Sequence, residues 1–150
     1  MEHYRKKIKF KKPIDFNFVS TAIDSDNHVS RITSSWFAEK VMQSVIQIRN
    51  VESNPHLKEI YNKLIKMFSL ENKRTDLDIF MSWVMGTRSN THVDEYDVLI
   101  TGCYGRTLYK VGNKEVIVEP GDILFIPKDT VHTAIGLDPR IILSSAIYND

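Results

Sequence analysis

The second half of the chain, from Leu77 onward, is a succession of short β-rich runs separated by turn residues. The runs are Leu77–Met85, Tyr96–Thr101, Arg106–Val111, Glu115–Val118, Asp122–Ile126, Val131–Ile135 and Arg140–Ile147. Glycine and proline punctuate them, and the Gly112–Asn113 pair is a good signal for a hairpin between two of the runs. Short strands at this spacing predict a β-sandwich or a small barrel.

The first half of the chain follows a helical period instead. A first helix is predicted from about Ser35 to Arg49, where apolar residues recur at helical spacing after a run of cap candidates. Asn54–Pro55 then starts a second helix, because proline suits the first turn and apolar residues line one face after it. The sequence therefore predicts a single domain over residues 1–150, with an N-terminal arm and helices (1–76) packed on the outside of a barrel (77–150).

Composition narrows the class of protein. The chain has 150 residues, of which 42% are hydrophobic, and this is enough for one globular core. Its single cysteine, Cys103, excludes an internal disulfide and leaves any metal to histidines and carboxylates. No apolar run approaches the roughly 18 residues of a membrane span, and no apolar run follows the basic first residues. We expect a cytoplasmic protein that does not enter a membrane.

The formal net charge of +1 is too balanced for a chain that coats nucleic acid with its whole surface. Basic residues are nevertheless concentrated in an N-terminal arm: Arg5, Lys6, Lys7, Lys9, Lys11 and Lys12. The favoured interpretation is an edge strand in which Ile8 and Phe10 alternate with lysines that face water. The alternative is a site for nucleic acid or another acidic partner at residues 5–12.

The segment from His92 to Asp97 carries the clearest chemical signal. Residues two apart on a strand share a face, so His92 and Asp94 can point at the same spot. His132 follows a turn, a strand and a proline corner, and in a barrel its strand can lie beside theirs. Two imidazoles and one carboxylate on one side of a metal match the ligand set of non-haem Fe(II) oxygenases. His3, His28 and His56 have no partners at ligand spacing and are predicted to be structural.

Other reaction classes have no motif in this chain. There is no Gly-x-Ser-x-Gly elbow, no Gly-x-x-x-x-Gly-Lys-Ser/Thr phosphate loop and no Gly-x-Gly-x-x-Gly after a strand. Hydrolase, nucleotidase and dinucleotide-binding functions are therefore unsupported.

From about Asp78 to Ile147 the sequence resembles the cupins, and within them the Jumonji-C-like and related 2-oxoglutarate oxygenases. The segments that carry the resemblance are His92–Asp97, Gly105–Tyr109, Val118–Pro127, His132 and the closing run from Arg140 to Ser145. The resemblance implies a double-stranded β-helix (a jelly-roll barrel) with Fe(II) held by His92, Asp94 and His132. Ordinary cupins usually have a second histidine where Asp94 stands, so the aspartate favours the oxygenase branch.

The co-substrate 2-oxoglutarate is less strongly implied. Jumonji-type enzymes commonly place a lysine two residues after the glycine that corresponds to Gly105, and this chain has Thr107 there. Other members of the superfamily use an arginine at the start of the last strand, where Arg140 stands. Arg140 could grip a carboxylate with two parallel hydrogen bonds, and Thr107, Tyr109 and Ser145 could add hydroxyl donors. An exposed arginine at a strand end is an equal interpretation.

The leading hypothesis is a non-haem Fe(II), 2-oxoglutarate-dependent oxygenase that hydroxylates or demethylates a small molecule or a protein. A first alternative keeps the metal without 2-oxoglutarate, as another dioxygenase or an isomerase. A second alternative is a non-catalytic binding module that uses the basic arm. The apolar faces of the predicted helices would either cover the barrel or form a homodimer.

Overall fold

The structure is a computed structural model that describes residues 1–25, 45–86 and 88–148. Its helices are α1 (Phe16–Ser25) and α2 (Pro55–Met67). Its strands are β1 (Glu2–Tyr4), β2 (Ile46–Ile48), β3 (Arg74–Thr75), β4 (Asp78–Ser82), β5 (Asp97–Tyr104), β6 (Thr107–Val111), β7 (Lys114–Val118), β8 (Ile123–Ile126), β9 (His132–Gly136) and β10 (Arg140–Tyr148). Each of the seven runs predicted after Leu77 is a strand.

The strands form two antiparallel sheets that enclose an apolar interior. The larger sheet has seven strands in the order β1-β8-β5-β10-β4-β2, with β3 beside β10, and the smaller has the order β7-β6-β9. Side chains from both sheets meet between them, among them Ile100 and Leu124 from the larger sheet and Val118 from the smaller. The molecule is thus mainly β with N-terminal helices, and its barrel is the predicted double-stranded β-helix.

The predicted hairpin is confirmed at the turn between β6 and β7. Gly112 has a φ of 58° there, a value that glycine adopts without the steric cost of a side chain. The turn sets the register in which Val111 faces Lys114 and Thr107 faces Val118. This hairpin directs Thr107 and Tyr109 into the barrel, where both are buried.

The helices cover the outer face of the larger sheet. α2 begins where the sequence indicates, because the Asn54 side chain accepts a hydrogen bond from the His56 backbone N–H and Pro55 occupies the first turn. Its buried Leu57 and Leu64 pack toward the outer face of the sheet, Leu57 in the cluster that contains Ile79 and Leu64 in the one that contains Leu99. None of the described helices is long and apolar enough to cross a membrane.

The first predicted helix is wrong at its C-terminal end. Ile46–Ile48 is β2, which pairs with β4 at the edge of the larger sheet. Ile46 and Ile48 alternate with exposed Gln47, which is the period of a strand. Over three residues this period cannot be told from the helical spacing of the apolar residues before it. The part of the predicted helix from residue 35 to 44 lies outside the described residues.

The edge strand predicted around Ile8 and Phe10 is wrong, because the strand of the arm lies nearer the N-terminus. The strand is β1, which pairs with β8, whereas residues 5–12 follow the barrel without strand structure. Ile8 is buried as expected, and its backbone N–H donates to the Gly121 carbonyl at 3.0 Å. Asp122 secures the arm, because its buried carboxylate accepts from the Lys6 N–H at 2.8 Å and contacts His3. Burial raises the pKa of Asp122, but hydrogen bonds from the Lys6 and Glu119 backbone and from His3 bring it below its usual value.

Candidate metal centre

His92 and His132 lie side by side because the segment before β5 runs antiparallel along β9. Their backbones exchange two hydrogen bonds, His92 N–H to the His132 carbonyl at 3.0 Å and the reverse at 2.9 Å. The Ser89 N–H donates to the Ala134 carbonyl at 2.9 Å, which extends the pairing toward the other end of β9. The imidazole centroids are consequently 4.3 Å apart. The sequence-based expectation that these two segments are neighbours is confirmed.

Asp94 completes a compact set of donors with the two histidines. One donor atom from each of the three residues lies within 4.8 Å of the other two. The carboxylate oxygens are 3.7 Å from His92 Nε2 and 3.4 Å from His132 Nε2. Donors about 2.1 Å from one ion lie at most about 4.2 Å apart, so these two separations suit ligands of a common cation. The chemistry of the donor set therefore fits a divalent metal.

Backbone carbonyls hold both imidazoles in the orientation that a metal requires. His92 Nδ1 donates to the Asn90 carbonyl at 2.7 Å, and His132 Nδ1 donates to the Thr130 carbonyl at 2.9 Å. Each Nδ1–H is thereby used, which leaves Nε2 as the lone-pair nitrogen facing Asp94. Sequence reasoning missed these two contacts, because a carbonyl oxygen carries no residue-type signal.

Solvent reaches this centre from one side. The His132 side chain is 7% exposed and that of Asp94 is 20% exposed, whereas that of His92 is 43% exposed. The donor set therefore lies at the rim of the barrel interior, with its open side beside His92. A molecule of any size would approach from that side.

Arg140 is buried in the barrel wall, and two of its donor atoms lack partners among the described residues. The residue is only 2% exposed, so the interpretation as an exposed strand-end arginine is wrong. Its Nε and Nη1 atoms have no hydrogen-bond partner among the described residues. Burial lowers the pKa of Arg140, and the neighbouring Tyr109 acts in the opposite direction. A buried guanidinium with two unused donors can accommodate an anion.

Thr107 and Tyr109, two of the other residues predicted to bind the co-substrate, lie on the side of β6 that faces this guanidinium. Thr107 faces Gly136 across the β6–β9 pair, and a Cβ atom on Gly136 would lie 3.3 Å from Arg140 Nε. The Thr107 hydroxyl is buried and has no partner in the described part of the chain. The same holds for the hydroxyl of Ser82, which pairs with Arg140 in the β4–β10 register. Burial raises the pKa of Tyr109, partly offset by Arg140, so its phenol stays protonated. These groups form a buried polar cluster rich in hydrogen-bond donors.

Ser145 is not part of this cluster. Side chains alternate along a strand, and Ser145 falls on the face of β10 that carries Ile141 and Leu143, opposite to that of Arg140. Its hydroxyl donates to the Asp76 carbonyl at 2.8 Å. The expectation that Ser145 lies beside the co-substrate is therefore wrong, because the alternation places it against the outer layer.

Comparison with known proteins relates the chain to one group of solved structures. No family model and no curated protein matches the sequence. A structure of YcfD from Escherichia coli is 20% identical, has a TM-score of 0.77, and aligns over 99% of this chain and 50% of its own. The ribosomal oxygenase YcfD in complex with cobalt and 2-oxoglutarate is 23% identical, with a TM-score of 0.70, over 95% and 46% of the respective chains. Its complex with cobalt and succinic acid is 24% identical, with a TM-score of 0.61, over 85% and 35%.

The chain thus spans about half the length of the YcfD structures that it matches. The agreement extends over nearly all of its own length, and it includes the N-terminal arm and helices as well as the barrel. At this level of identity the agreement concerns architecture. The chain has the double-stranded β-helix fold of the cupins, in the form found in the ribosomal oxygenase YcfD.

Proposed function

We propose that this chain is a non-haem Fe(II)- and 2-oxoglutarate-dependent oxygenase. The observation that carries the proposal is the clustering of His92, Asp94 and His132, with both imidazoles already turned toward the carboxylate by backbone carbonyls. Three protein ligands on one side of a metal leave its remaining positions open for other molecules. Such an open site is typical of catalytic rather than structural metals.

Iron is the metal that this ligand set favours in oxygenases, although imidazole and carboxylate accept several first-row ions. YcfD, which shares the fold, has been crystallised with cobalt together with 2-oxoglutarate or succinic acid. That pairing in a protein of the same architecture supports the assignment of Fe(II) and 2-oxoglutarate here. The metal would be held by His92, Asp94 and His132.

Arg140 is the residue that we assign to the far carboxylate of 2-oxoglutarate. Its positive charge and its Nε and Nη1 donors, which have no partner among the described residues, would attract this carboxylate, and its burial keeps water from competing. The buried hydroxyls of Thr107 and Tyr109, on the neighbouring strand β6, would donate to it as well. An arginine on β10 thus substitutes for the lysine that Jumonji-type enzymes commonly carry at the position of Thr107.

When bound, Fe(II) and 2-oxoglutarate would supply the reduction of O₂, with the overall balance substrate C–H, 2-oxoglutarate and O₂ giving substrate C–OH, succinate and CO₂. The residues of the chain orient and shield this chemistry. Arg140 fixes the direction of the co-substrate, and the apolar barrel interior excludes water around it. The half-exposed His92 marks the side from which a small molecule or a protein substrate would enter.

Two alternatives differ in what they require of these residues. A metal-dependent cupin without 2-oxoglutarate would need the donor set but not Arg140, and the absence of a lysine at Thr107 favours it. A non-catalytic module would act through the basic arm. Arg5 and Lys6 of that arm, however, form ion pairs with Glu119, and Lys11 pairs with Glu59.

Succinate production tests the proposal. The chain is incubated aerobically with Fe(II), ascorbate and 2-oxoglutarate, and succinate is measured by NMR together with O₂ consumption. We expect slow turnover that Asp94→Ala abolishes and that Glu95→Gln, a change at the exposed neighbouring carboxylate, leaves unaltered. Iron binding that depends on Asp94 without succinate above the buffer background would support the cupin that does not use 2-oxoglutarate.

A further inference from the structure

A cavity of about 440 Å³ lies between the N-terminal arm and helix α2. Its walls come from residues 8–14 of the arm, from Phe18 of α1 and from the first turns of α2. These elements pack on the outer face of the larger sheet, whereas the candidate metal centre opens at the rim of the barrel interior. The cavity, which we call the arm pocket, is therefore separate from the site described above.

The floor of the arm pocket is apolar. Ile8 and Ile14 are 4% and 3% exposed, and the half-buried Phe18 and Ile60 complete the surface between them. The volume falls in the range of about 300–1,000 Å³ that small ligands and inserted side chains fill. An apolar floor of this size stabilises a bound group by removing its hydrophobic surface from water.

The rim of the arm pocket is basic. Four lysines surround it: Lys9, Lys11, Lys12 and Lys63. The carboxylate of Glu59 also belongs to the rim, but it is paired with Lys11 at 2.8 Å. The described residues of the rim thus carry a surplus of three positive charges, in a chain whose whole net charge is +1. This concentration of charge favours an anionic occupant.

We propose that the arm pocket binds an acidic peptide segment of a partner protein, which inserts one large apolar side chain between the arm and α2. An apolar anchor within a charged rim is a common basis of peptide recognition. Several lysines around one floor match several carboxylates better than the single charge of a fatty acid. Nucleic acid fits less well, because the described residues of the rim include no arginine and the Phe18 ring contacts His56 edge-on at 5.6 Å.

Amide chemical shifts of the ¹⁵N-labelled protein test this site. The probe is the capped peptide Glu-Asp-Leu-Phe-Asp-Glu, compared with the same peptide carrying two alanines in place of Leu-Phe. We expect the first peptide to shift amides of residues 8–14 and 56–63, and the second to bind at least about tenfold more weakly, which corresponds to 1.4 kcal/mol. Binding should weaken as salt is added.

Charge reversal separates the pocket from general attraction to a basic protein. Lys12→Glu with Lys63→Glu should weaken binding by at least about tenfold, whereas Lys114→Glu, at an exposed position on β7 in the smaller sheet, should not. Lys12→Ala with Lys63→Ala gives the same direction without introducing repulsion. Unchanged affinity in the double variants, no shifts in the pocket, or shifts there caused only by a single-stranded RNA octamer would each overturn the proposal.

Discussion

The two polar regions of the barrel differ in how completely their hydrogen-bonding groups are used. In the donor set of His92, Asp94 and His132, both imidazole Nδ1 atoms are bonded to backbone carbonyls, and solvent reaches the group. In the other region Arg140 is buried, and within the described ranges two of its donors and the hydroxyls of Thr107 and Ser82 have no hydrogen-bond partner.

The imidazoles of the donor set are held in place by the backbone, whereas the donors around Arg140 are buried without such contacts among the described residues. A buried donor left unsatisfied costs about 1–3 kcal/mol, and we propose that a bound anion would offset this cost around Arg140. A cost of this kind is expected where function requires the group.

Removal of the Asp94 carboxylate, a proposed metal ligand, should cause the largest loss of affinity, and the loss is in Fe(II) binding. Asp94→Ala deletes the one carboxylate of the donor set, and we expect Fe(II) affinity to fall by more than about 100-fold, beyond the loss typical of outer-shell changes. The stability of the metal-free protein should change little, because Asp94 is partly exposed. Anaerobic dialysis with metal analysis measures the first quantity and urea unfolding the second. Glu95→Gln is the matched control. Fe(II) affinity of Asp94→Ala equal to that of the wild type would contradict the assignment of Asp94 as a metal ligand.

Replacement of Arg140 should separate function from stability. Arg140→Met keeps the apolar stem and removes the unpartnered donors, so we expect stability to stay equal or to rise by about 1–3 kcal/mol. The affinity of the metal-loaded protein for 2-oxoglutarate should fall by about 100-fold, since the charge that faces the far carboxylate is lost. Calorimetric titration with Mn(II) in place of iron measures the affinity. A strongly destabilised variant would instead make Arg140 a structural residue.

A cation introduced from the opposite sheet should partly restore what Arg140→Met loses. Thr107 lies across from Gly136, over which the Arg140 side chain passes, so Thr107→Lys adds a positive charge to the same cluster. In the Arg140→Met background we expect this change to recover about tenfold in 2-oxoglutarate affinity. Thr107→Val is the matched control, because it removes the hydroxyl without adding charge. Recovery with Thr107→Val as well would argue against a charge effect.

The smallest loss of 2-oxoglutarate affinity is expected from a substitution at Gly136. A Cβ atom there would lie 3.3 Å from Arg140 Nε and 3.2 Å from the Asp138 carbonyl, so Gly136→Ala must displace the guanidinium slightly. We expect 2-oxoglutarate affinity to fall by about two- to tenfold, or up to 1.4 kcal/mol, while Fe(II) affinity is unchanged. A parallel loss of iron binding would show that the two regions are not independent.

The sequence predicted the barrel well because each of its strands is short, apolar and bounded by turn residues. The run from Arg140 to Ile147 corresponds closely to β10, and Gly112–Asn113 forms the predicted turn. The sequence pattern was misleading around Ile46–Ile48, because three residues are too few to distinguish the period of a strand from that of a helix. The pairing that makes them a strand is with β4, far along the chain.

The candidate site shows the same limit. The clustering of His92, Asp94 and His132 was predictable, since residue type and spacing on β-rich runs indicate a shared donor set. The burial of Arg140 and the outward face of Ser145 were not, because both depend on which side of β10 faces the interior. The carbonyls that orient the imidazoles could not be predicted, because every residue has a backbone carbonyl and residue type does not indicate which one accepts a hydrogen bond.

We propose that the donor set and the cluster around Arg140 act together on one molecule of 2-oxoglutarate. An anaerobic titration with Fe(II) and then 2-oxoglutarate tests it most directly, through the visible absorption band of a 2-oxoacid chelated to Fe(II). The account predicts a band at one equivalent of iron in the wild type, no band in His92→Ala or Asp94→Ala, and a band only at far higher 2-oxoglutarate concentration in Arg140→Met. Iron binding without any band in the wild type would contradict it.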